Sequence, residues 1–458
     1  MKVLKFGGTS VGTVESLRSV KKIVENNPTP VIVVVSALGG LTDRLITTAR
    51  KAAAGDESYR DEMLAIAERH HNIINEMVSP ERKPITFETV DALLEQLGRN
   101  YDGVFLLRDL PSNILDIIVS FGERMSSVIV TAMIDGAARY DSLDFIKTEN
   151  WFSKNIADQK LTTRLIKKEF AGFEGIAIVP GFISTDKDTG AITNLGRGGS
   201  DFTAALIAAA LDASILEIWT DVNGFMSADP RIIPEARVMP YMTFIESMEL
   251  CSFGAKVIYP PTIYPVFHKN IPIKILNTFC PEAPGTLITD RNAENSQGIK
   301  GVTSIKGITL FTLNISHLRE AKQLRSRALN ALSKRGITVL IATREEGEPA
   351  LSFAVASADA EAVTTLLSKE FAPELSKNTL SPTKNSQLSR KDNVAVIAVV
   401  GEGMRDRTRL APRILNTLQR DSIHVASHTR RASATTLTFV IDETDVNRAL
   451  QLIHSLLF

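Results

Sequence analysis

Short β-branched runs alternate along the chain with longer stretches in which apolar residues recur every three or four positions. Val3 to Phe6 is the first such run, and it stops at Gly7-Gly8-Thr9-Ser10. Helical spacing follows at Val14, Leu17, Val20, Ile23 and Val24, so the opening reads strand, glycine turn, helix. Val31 to Val35 is continuously β-branched, the pattern of a strand buried on both faces of a parallel sheet. It ends at Ser36 to Gly40, and the next helix is expected near Thr42. Three more strand ends are read the same way: Ile117 to Phe121 before a helix from Glu123, Ile176 to Val179 before Pro180-Gly181, and Ile215 to Thr220 before Asp221-Val222-Asn223-Gly224. Strands alternating with helices predict an α/β fold, a parallel-rich sheet with helices on both faces and ligands at the carboxyl ends of its strands. Ala49 to Asn113 reads as a helical insertion, with Met63, Ile66, Ala67, His70, Ile73 and Ile74 on one face. His70 and His71 do not share a helix face and have no partner at ligand spacing, so they are expected to be solvated or core-edge residues and not a metal site.

After about Asn292 the order of elements changes and then repeats. Ile308–Ile315, Ala321–Leu332, Ile337–Thr343, Ala350–Ala356 and Ala358–Phe371 read strand, helix, strand, strand, helix. Val394–Val400, Leu410–Leu418, Ile423–Ser427, Thr435–Ile441 and Thr444–Leu457 repeat that order. Each copy predicts a small α+β module of ferredoxin-like order, with the polar stretch Ser376 to Asp392 as the link. The expected domains are therefore 1–292, 293–378 and 379–458, in keeping with a length of 458 residues.

Composition narrows the partners. Lys plus Arg equals Asp plus Glu at 52 each, so no whole-molecule field favours nucleic acid or an anionic membrane. The basic run Arg405 to Arg413 has no interleaved aromatics and is expected to be a solvated loop and helix start. The apolar stretch Phe202 to Leu211 is too short to span a bilayer, and MKVLKFGGTS lacks the apolar core of a secretory signal. Cys251 and Cys280 are too few for a disulfide framework and are expected to be small buried hydrophobes in a reducing, cytoplasmic setting.

Four segments carry candidate chemistry. In Lys5 to Ser10 the glycine amides, a helix amino terminus and the lysine could cradle a phosphate, although neither G-x-G-x-x-G nor G-x-x-x-x-G-K-[ST] is written there. In Leu195 to Thr203, Gly196, Gly198 and Gly199 flank Arg197, which could grip a carboxylate bidentately; Ser200 and Asp201 could cap the helix that follows. Trp219 to Arg231 offers Thr220, Asp221 and Arg231, with Lys256 downstream in FGAKV. Ser120 to Met125 places Glu123 just past a predicted strand end, where an acid could hold an ammonium group.

KFGGTSV, SALGGLTDRL, SFGERMS, LGRGGSDFTAAL, WTDVNGFMSADPR, FGAKVIYP and NTFCPEAPGTLI, in this order and spacing, resemble the successive motifs of the aspartate kinases. The paired modules look like the two ACT domains that follow the kinase in that family. The resemblance implies an amino-acid-kinase-type fold with two ACT modules, in which the first strand after the kinase, here Gly301 to Ile305, pairs within the second module. It implies transfer of the ATP γ-phosphoryl group to the side-chain carboxylate of L-aspartate, giving 4-phospho-L-aspartate for lysine, threonine and methionine synthesis. By resemblance Lys5 is the transition-state cation and Gly7 and Gly8 contact phosphate. Glu123 would hold the substrate ammonium and Arg197 its α-carboxylate, with Thr42 and Ser200 positioning it. Asp201 would organise the lysine, and Thr220, Asp221, Arg231 and Lys256 would contact ATP. Mg²⁺ is expected to arrive on the nucleotide and not on a dedicated protein site. A homodimer or homotetramer is expected, from association of the ACT pairs.

Three departures stand out. Leu38 lies where many relatives have a hydroxyl, and Met226 lies where tyrosine is common. Asn314 to Ala321 has no glycine, and ATREEGEPALSF and ASHTRRASATTLTF lack the Gln-Ser-Ser-type segment of inhibited relatives, while Gly401 and Gly403 are kept. Weak or altered feedback control by an amino-acid effector follows as the expectation. The end at Phe458 suggests a monofunctional enzyme without a fused homoserine dehydrogenase. The competing readings are a kinase for glutamate, acetylglutamate or a nucleotide, against which Glu123 and Arg197 together favour a free amino acid, and a silent amino-acid sensor, against which Lys5 and Asp201 weigh.

Overall fold

The computed structural model describes residues 1–151, 154–290, 298–314, 318–343, 350–375, 386–402, 409–430 and 435–458. They form two compact units, one of residues 1–225, 238–244 and 256–292, the other of residues 226–237, 245–255 and 293–458.

The strands of the first unit are β1 (Lys2–Phe6), β2 (Val31–Val35), β3 (Ala137–Arg139), β4 (Lys147–Trp151), β5 (Lys154–Ala157), β6 (Ile176–Pro180), β7 (Ile183–Asp186), β8 (Ile192–Asn194), β9 (Ile215–Thr220), β10 (Tyr241–Thr243), β11 (Ile273–Asn277) and β12 (Thr286–Thr289). Eight of them make one sheet in the order β10-β12-β11-β9-β1-β2-β6-β3. Its pairings are parallel except for β11 with β12. The four-stranded sheet β5-β4-β7-β8 adjoins it in the same unit. All five residues of β2 are buried, as the unbroken β-branched run required. β1 is central, and its alternation decides the site: Leu4 and Phe6 join a large apolar cluster on one face, which leaves Lys5 on the other.

The helices that matter for the site are α1 (Val14–Glu25), α2 (Leu41–Ala54), α3 (Tyr59–Met77), α4 (Lys83–Leu107), α5 (Ser112–Met133), α6 (Ser142–Phe145), α7 (Gln159–Glu169) and α8 (Gly199–Ala210). The helical insertion is present as the end of α2 with α3 and α4. The strand expected at Ile117 to Phe121 is not: those residues lie inside α5, and Glu123 sits in the middle of a 22-residue helix. Residues 118–123 of that helix are all buried, so its apolar run has no polar face to betray a helical period. His70 is fully buried, its Nδ1 2.7 Å from the Ile66 carbonyl, whereas His71 meets Asp91 of α4 at 2.6 Å. His71 is thus the solvated, core-edge residue expected, while His70 goes further and lies in the core. The cysteines also differ from expectation, since Cys280 is exposed and Cys251 only half-buried.

The second unit carries one six-stranded antiparallel sheet. Its strands are β13 (Ile299–Asn314), β14 (Ile341–Thr343), β15 (Ala350–Ala356), β16 (Gln387–Gly401), β17 (Val425–Arg430) and β18 (Thr436–Asp442), in the order β14-β15-β13-β16-β18-β17. Helices Leu318–Lys334, Ala360–Glu370, Leu410–Arg420 and Val446–Leu457 complete the repeated pattern. The 16 residues of β13 serve both halves. Gly301 to Ile305 pair with Val396 to Val400 of β16, and Ile308 to Asn314 pair with β15. Gly401 is a glycine because a Cβ there would lie 2.2 Å from the Gly298 carbonyl oxygen. The stretch read as a polar link is strand from Gln387 onward. Residues 226–237 and 245–255 also fold here: Val302 N–H donates to the Ser227 carbonyl at 2.8 Å, and Ser227 Oγ lies 2.9 Å from His454 Nε2. Residues 315–317, 344–349, 403–408 and 431–434, which carry parts of the expected effector segments, Gly403 and the start of the basic run, lie outside the described residues.

The close fit of α5 against the turn after β2 can be tested. A Cβ at Gly122 would lie 2.7 Å from the Ala37 Cβ, which is fixed to its own backbone and cannot swing aside, with Leu45 Cδ1 at 3.5 Å and Leu41 Cδ2 at 3.7 Å next. Gly122→Val is expected to lower unfolding stability by about 1–3 kcal/mol, the usual cost of overpacking. A urea midpoint equal to that of the unmodified chain would show that this contact is loose.

Candidate functional site

The carboxyl ends of β1 and β2, the middle of α5 and the start of α8 converge on a cavity of about 340 Å³. Lys5, Gly8, Thr42, Glu123, Arg197, Ser200 and Asp201 line it together with Ser36 to Gly40, Phe182, Gly196, Gly198 and Gly199. Five distant segments of the sequence thus supply one lining.

Backbones must approach closely for this to happen. A Cβ at Gly39 would lie 3.0 Å from the Gly8 carbonyl oxygen, and one at Gly181 would lie 2.7 Å from the Ser200 Cβ. The turn after β1 is therefore seated on the turn after β2, and the turn after β6 on the start of α8. Arg69 of α3 braces the first turn from outside, donating to the Gly12 carbonyl at 2.8 Å.

Two helices open onto the cavity, and their identity corrects the expectation. The amino terminus of α1 is closed by its own hydroxyls, because Thr13 and Ser16 form a reciprocal capping box. The termini of α2 and α8 have no side-chain cap: the N-cap residues are Gly40 and Gly198, both left-handed at φ 75° and 71°. The Leu41 and Gly199 amides are taken by the Leu38 and Gly196 carbonyls at 2.8 and 3.0 Å, so the amides one residue on, of Thr42 and Ser200, are the ones placed for an anion, with the partial positive charge of the helix end behind them. Ser200 and Asp201 stand two and three positions past the N-cap of α8. Asp201 instead meets Lys5, with Oδ1 2.6 Å from Nζ. Both side chains are nearly buried, and the contact is an ion pair by distance, without hydrogen-bond alignment at Oδ1.

Glu123 is the most unusual group present. Its side chain is buried, and Oε2 has no hydrogen-bond partner. Burial pushes its pKa up to about 8 from the ordinary carboxylate range, against the lowering effects of the Ala37 backbone amide and the Lys5 charge. A buried, half-satisfied carboxyl at a cavity wall is a costly arrangement and marks a place prepared for a ligand.

Arg197 is exposed, between Gly196 at φ 72° and Gly198 at φ 71°, with its guanidinium 5.7 Å from the centre of the Tyr259 ring. Phe182 lines the same cavity with its own backbone left-handed, at φ 67°. Thr203 Oγ1 accepts its N–H at 3.0 Å and holds it there. No sequence signal distinguished Phe182 from any apolar residue after a Pro-Gly turn. Leu38 is buried against the cavity, so a departure noted in the sequence falls within the lining.

The remaining expected site residues lie elsewhere. Gly7 follows Lys5 beside β9, its N–H donating to the Trp219 carbonyl at 3.1 Å, but it does not line the cavity. Thr220 and Asp221 end β9 with their side chains 3.2 Å apart, also outside the lining. Lys256 is exposed in the first unit, and Arg231 is exposed in the second unit, paired with Asp229 at 2.7 Å. Among the described residues no group of three or more His, Cys, Asp or Glu side chains could hold a metal ion, and no helix is long and apolar enough to cross a membrane.

Comparison with known proteins agrees with this layout. The amino acid kinase family matches residues 1–277, and the ACT domain matches residues 397–457. The bifunctional aspartokinase/homoserine dehydrogenase of Buchnera aphidicola is 31% identical over 469 residues, covering 100% of this chain and 56% of the relative. The chain thus spans about half the length of that relative. Lysine-sensitive aspartokinase 3 of Escherichia coli is 29% identical, covering 100% of this chain and 99% of the relative. The crystal structure of E. coli aspartokinase III in complex with aspartate and ADP matches with a TM-score of 0.83 at 25% identity, over 99% of each chain.

The proton on Glu123 has a consequence for stability. In the unfolded chain the carboxyl ionises near its ordinary value, whereas in the folded chain it keeps its proton to about pH 8. The folded state therefore binds more protons between those limits, and stability contributed by Glu123 falls as pH rises across that window. Glu123→Gln should flatten the fall in urea-unfolding stability between pH 5 and 8; an unchanged profile would mean that Glu123 is ionised in the empty site.

Proposed function

We propose that this chain, which belongs to the amino acid kinase family, is an aspartate kinase that transfers the γ-phosphoryl group of ATP to the side-chain carboxylate of L-aspartate. The products are ADP and 4-phospho-L-aspartate, a precursor for lysine, threonine and methionine. The observation that carries this reading is the single cavity that unites Lys5, Arg197 and a buried, half-satisfied Glu123. An amino acid with a second carboxylate matches all three, its ammonium meeting Glu123 and its α-carboxylate the Arg197 fork. Thr42 and Ser200, in the first turns of α2 and α8, would position it beside amides that favour negative charge. Each relative named above is an aspartokinase, and the matched crystal structure holds aspartate and ADP.

The chemistry asks little of the protein beyond charge and alignment. The acceptor carboxylate, with a reference pKa near ~3.9, is already ionised at neutral pH and needs no general base. One of its oxygens attacks the γ-phosphorus as the bond to the bridging oxygen breaks, and ADP leaves with the electron pair. Lys5 would neutralise charge on the transferring group, oriented by Asp201, while Gly7 and Gly8 leave room for phosphate. Thr220, Asp221 and Lys256 are carried as nucleotide contacts, and Arg231 with them on the motif alone. The lone Asp201 beside Lys5 suits Mg²⁺ that arrives on ATP and keeps most of its waters; when bound, the ion supplies charge neutralisation at the phosphates.

We also carry as proposals a homodimer or homotetramer, and an amino-acid effector at the paired modules with weak or altered feedback.

Aspartate-dependent ADP release, with glutamate in parallel, tests the reading. Lys5→Ala is expected to lower kcat by more than about 10³-fold through lost transition-state stabilisation. It also strands a nearly buried carboxylate, so Asp201→Asn in the same background separates lost fold from lost chemistry. Arg197→Ala, at an exposed position, should raise the aspartate KM by about 10- to 100-fold with kcat nearly unchanged. Full activity in Lys5→Ala, or preference for glutamate, would overturn the assignment.

A further inference from the structure

Arg197 sits on a loop of two left-handed glycines, which would wander unless something fixed it. The structure holds that loop from one side through a short chain of hydrogen bonds. The Gly196 N–H donates to Asn194 Oδ1 at 2.9 Å, so the side chain of Asn194 folds over the turn that leads into Arg197. The same side chain donates from Nδ2 to Asp116 Oδ1 at 2.6 Å. Asp116 Oδ2 accepts from Asn155 Nδ2 at 3.2 Å, so both carboxylate oxygens are engaged by amide donors. The arrangement has a direction. A carboxylate offers only acceptors, so Asn194 must turn its NH₂ toward Asp116 and its oxygen toward the Gly196 amide.

Asp116 lies on α5, seven residues before Glu123. Seven residues of helix bring the chain back to nearly the same face, about 10 Å along the axis. One rigid element therefore carries both the carboxyl that meets the cavity directly and the carboxylate that anchors the opposite wall through Asn194. We propose that Asp116 is a positioning residue for the substrate α-carboxylate, setting the Arg197 loop through Asn194 so that both clamps on the amino acid are registered to α5. This rests on the aspartate kinase reading. Nothing in the aspartate kinase motifs quoted above includes Asp116 or Asn194 as a site residue. The half-burial of Asp116 pushes its pKa up against the lowering effect of the two amides, in keeping with a carboxylate kept from water by its two asparagine partners.

Three variants test the direction of the chain. Asp116→Asn leaves one acceptor oxygen for two amide donors, so Asn194 and Asn155 must compete for it and one of them meets an NH₂. Asn194→Asp places two carboxylates against each other. The double variant restores a donor and acceptor in reverse, with Asn at 116 donating and Asp at 194 accepting from it and from the Gly196 amide. Each single change is expected to raise the aspartate KM by about tenfold, the scale of one lost buried hydrogen bond, with kcat and the ATP KM within about twofold. The double variant should recover to within about threefold of the unmodified chain, a non-additivity that two independent structural losses do not produce. Hydrogen exchange at the Gly196 amide should quicken in each single variant and slow again in the double, whatever the reaction catalysed. Unchanged KM and exchange in the singles, or losses that simply add in the double, would overturn the proposal. An unmodified chain inactive with aspartate would overturn the kinase reading instead, while the exchange measurement would still decide the role of Asp116.

Discussion

The contact between Lys5 and Asp201 is the constraint on which the site depends. Strand β1 supplies the lysine from its only face not committed to the large apolar cluster, and α8 supplies the carboxylate from its first turn. Taking both charges largely out of water costs several kcal/mol per ion, and the attraction between them offsets this only at short range. At 2.6 Å the range is short. The pair therefore locks the centre of the sheet to the start of α8 while holding the lysine in one place. A lysine free to sample rotamers would have to be ordered by its ligand, whereas this one is ordered beforehand. The negative charge also sits where the helix dipole favours it, so one carboxylate serves both α8 and Lys5.

Around that pair the lining is built by backbone more than by side chains. Gly8, Gly39, Gly181 and Gly199 stand where a Cβ would meet a neighbour at 3.2, 3.0, 2.7 and 2.6 Å, respectively. The turns after β1, β2 and β6 and the start of α8 can thus touch. Phe182 shows the cost of such close fitting, since its left-handed backbone is strained for a residue with a side chain and is held by the hydroxyl of Thr203. The helical insertion takes part as well, because Arg69 reaches the turn after β1 from α3.

Much of this was legible along the chain, and the exceptions have physical causes. β1, β2, β6 and β9 could be read because β-branched runs ended at glycine or polar turns. Seven of the expected site residues line one cavity because strand ends and helix starts in such a sheet point the same way. α5 was misread as a strand at Ile117 to Phe121, since a helix buried on every side shows no period. The capping open to Ser200 and Asp201 is not taken up, because a left-handed Gly198 holds the cap position of α8. The grouping of residues 226–237 with the second unit rests on bonds from Ser227 to Val302 and His454, partners too distant in sequence for any local pattern to announce. The bond from Asn194 to Asp116 was invisible for the same reason, although Asn194 and Gly196, the glycine already noted beside Arg197, form a local turn.

On the proposed reading, the protonation of Glu123 bears on which amino acids the cavity would accept. At pH 7 a carboxyl with a pKa of about 8 is mostly neutral, and ionising it costs on the order of 1 kcal/mol. A hydrogen bond between charged partners returns about 1.5–3 kcal/mol, so an incoming ammonium still gains by drawing the proton off. An acylated amine brings no charge to draw it off, and it presents a bulkier group to a wall already closed by Ala37 and Leu38. A ligand without any amine leaves Oε2 as it stands, buried and without a partner. The penalty built into the empty site would therefore be removed most fully by a free α-ammonium, as the proposed role of Glu123 requires.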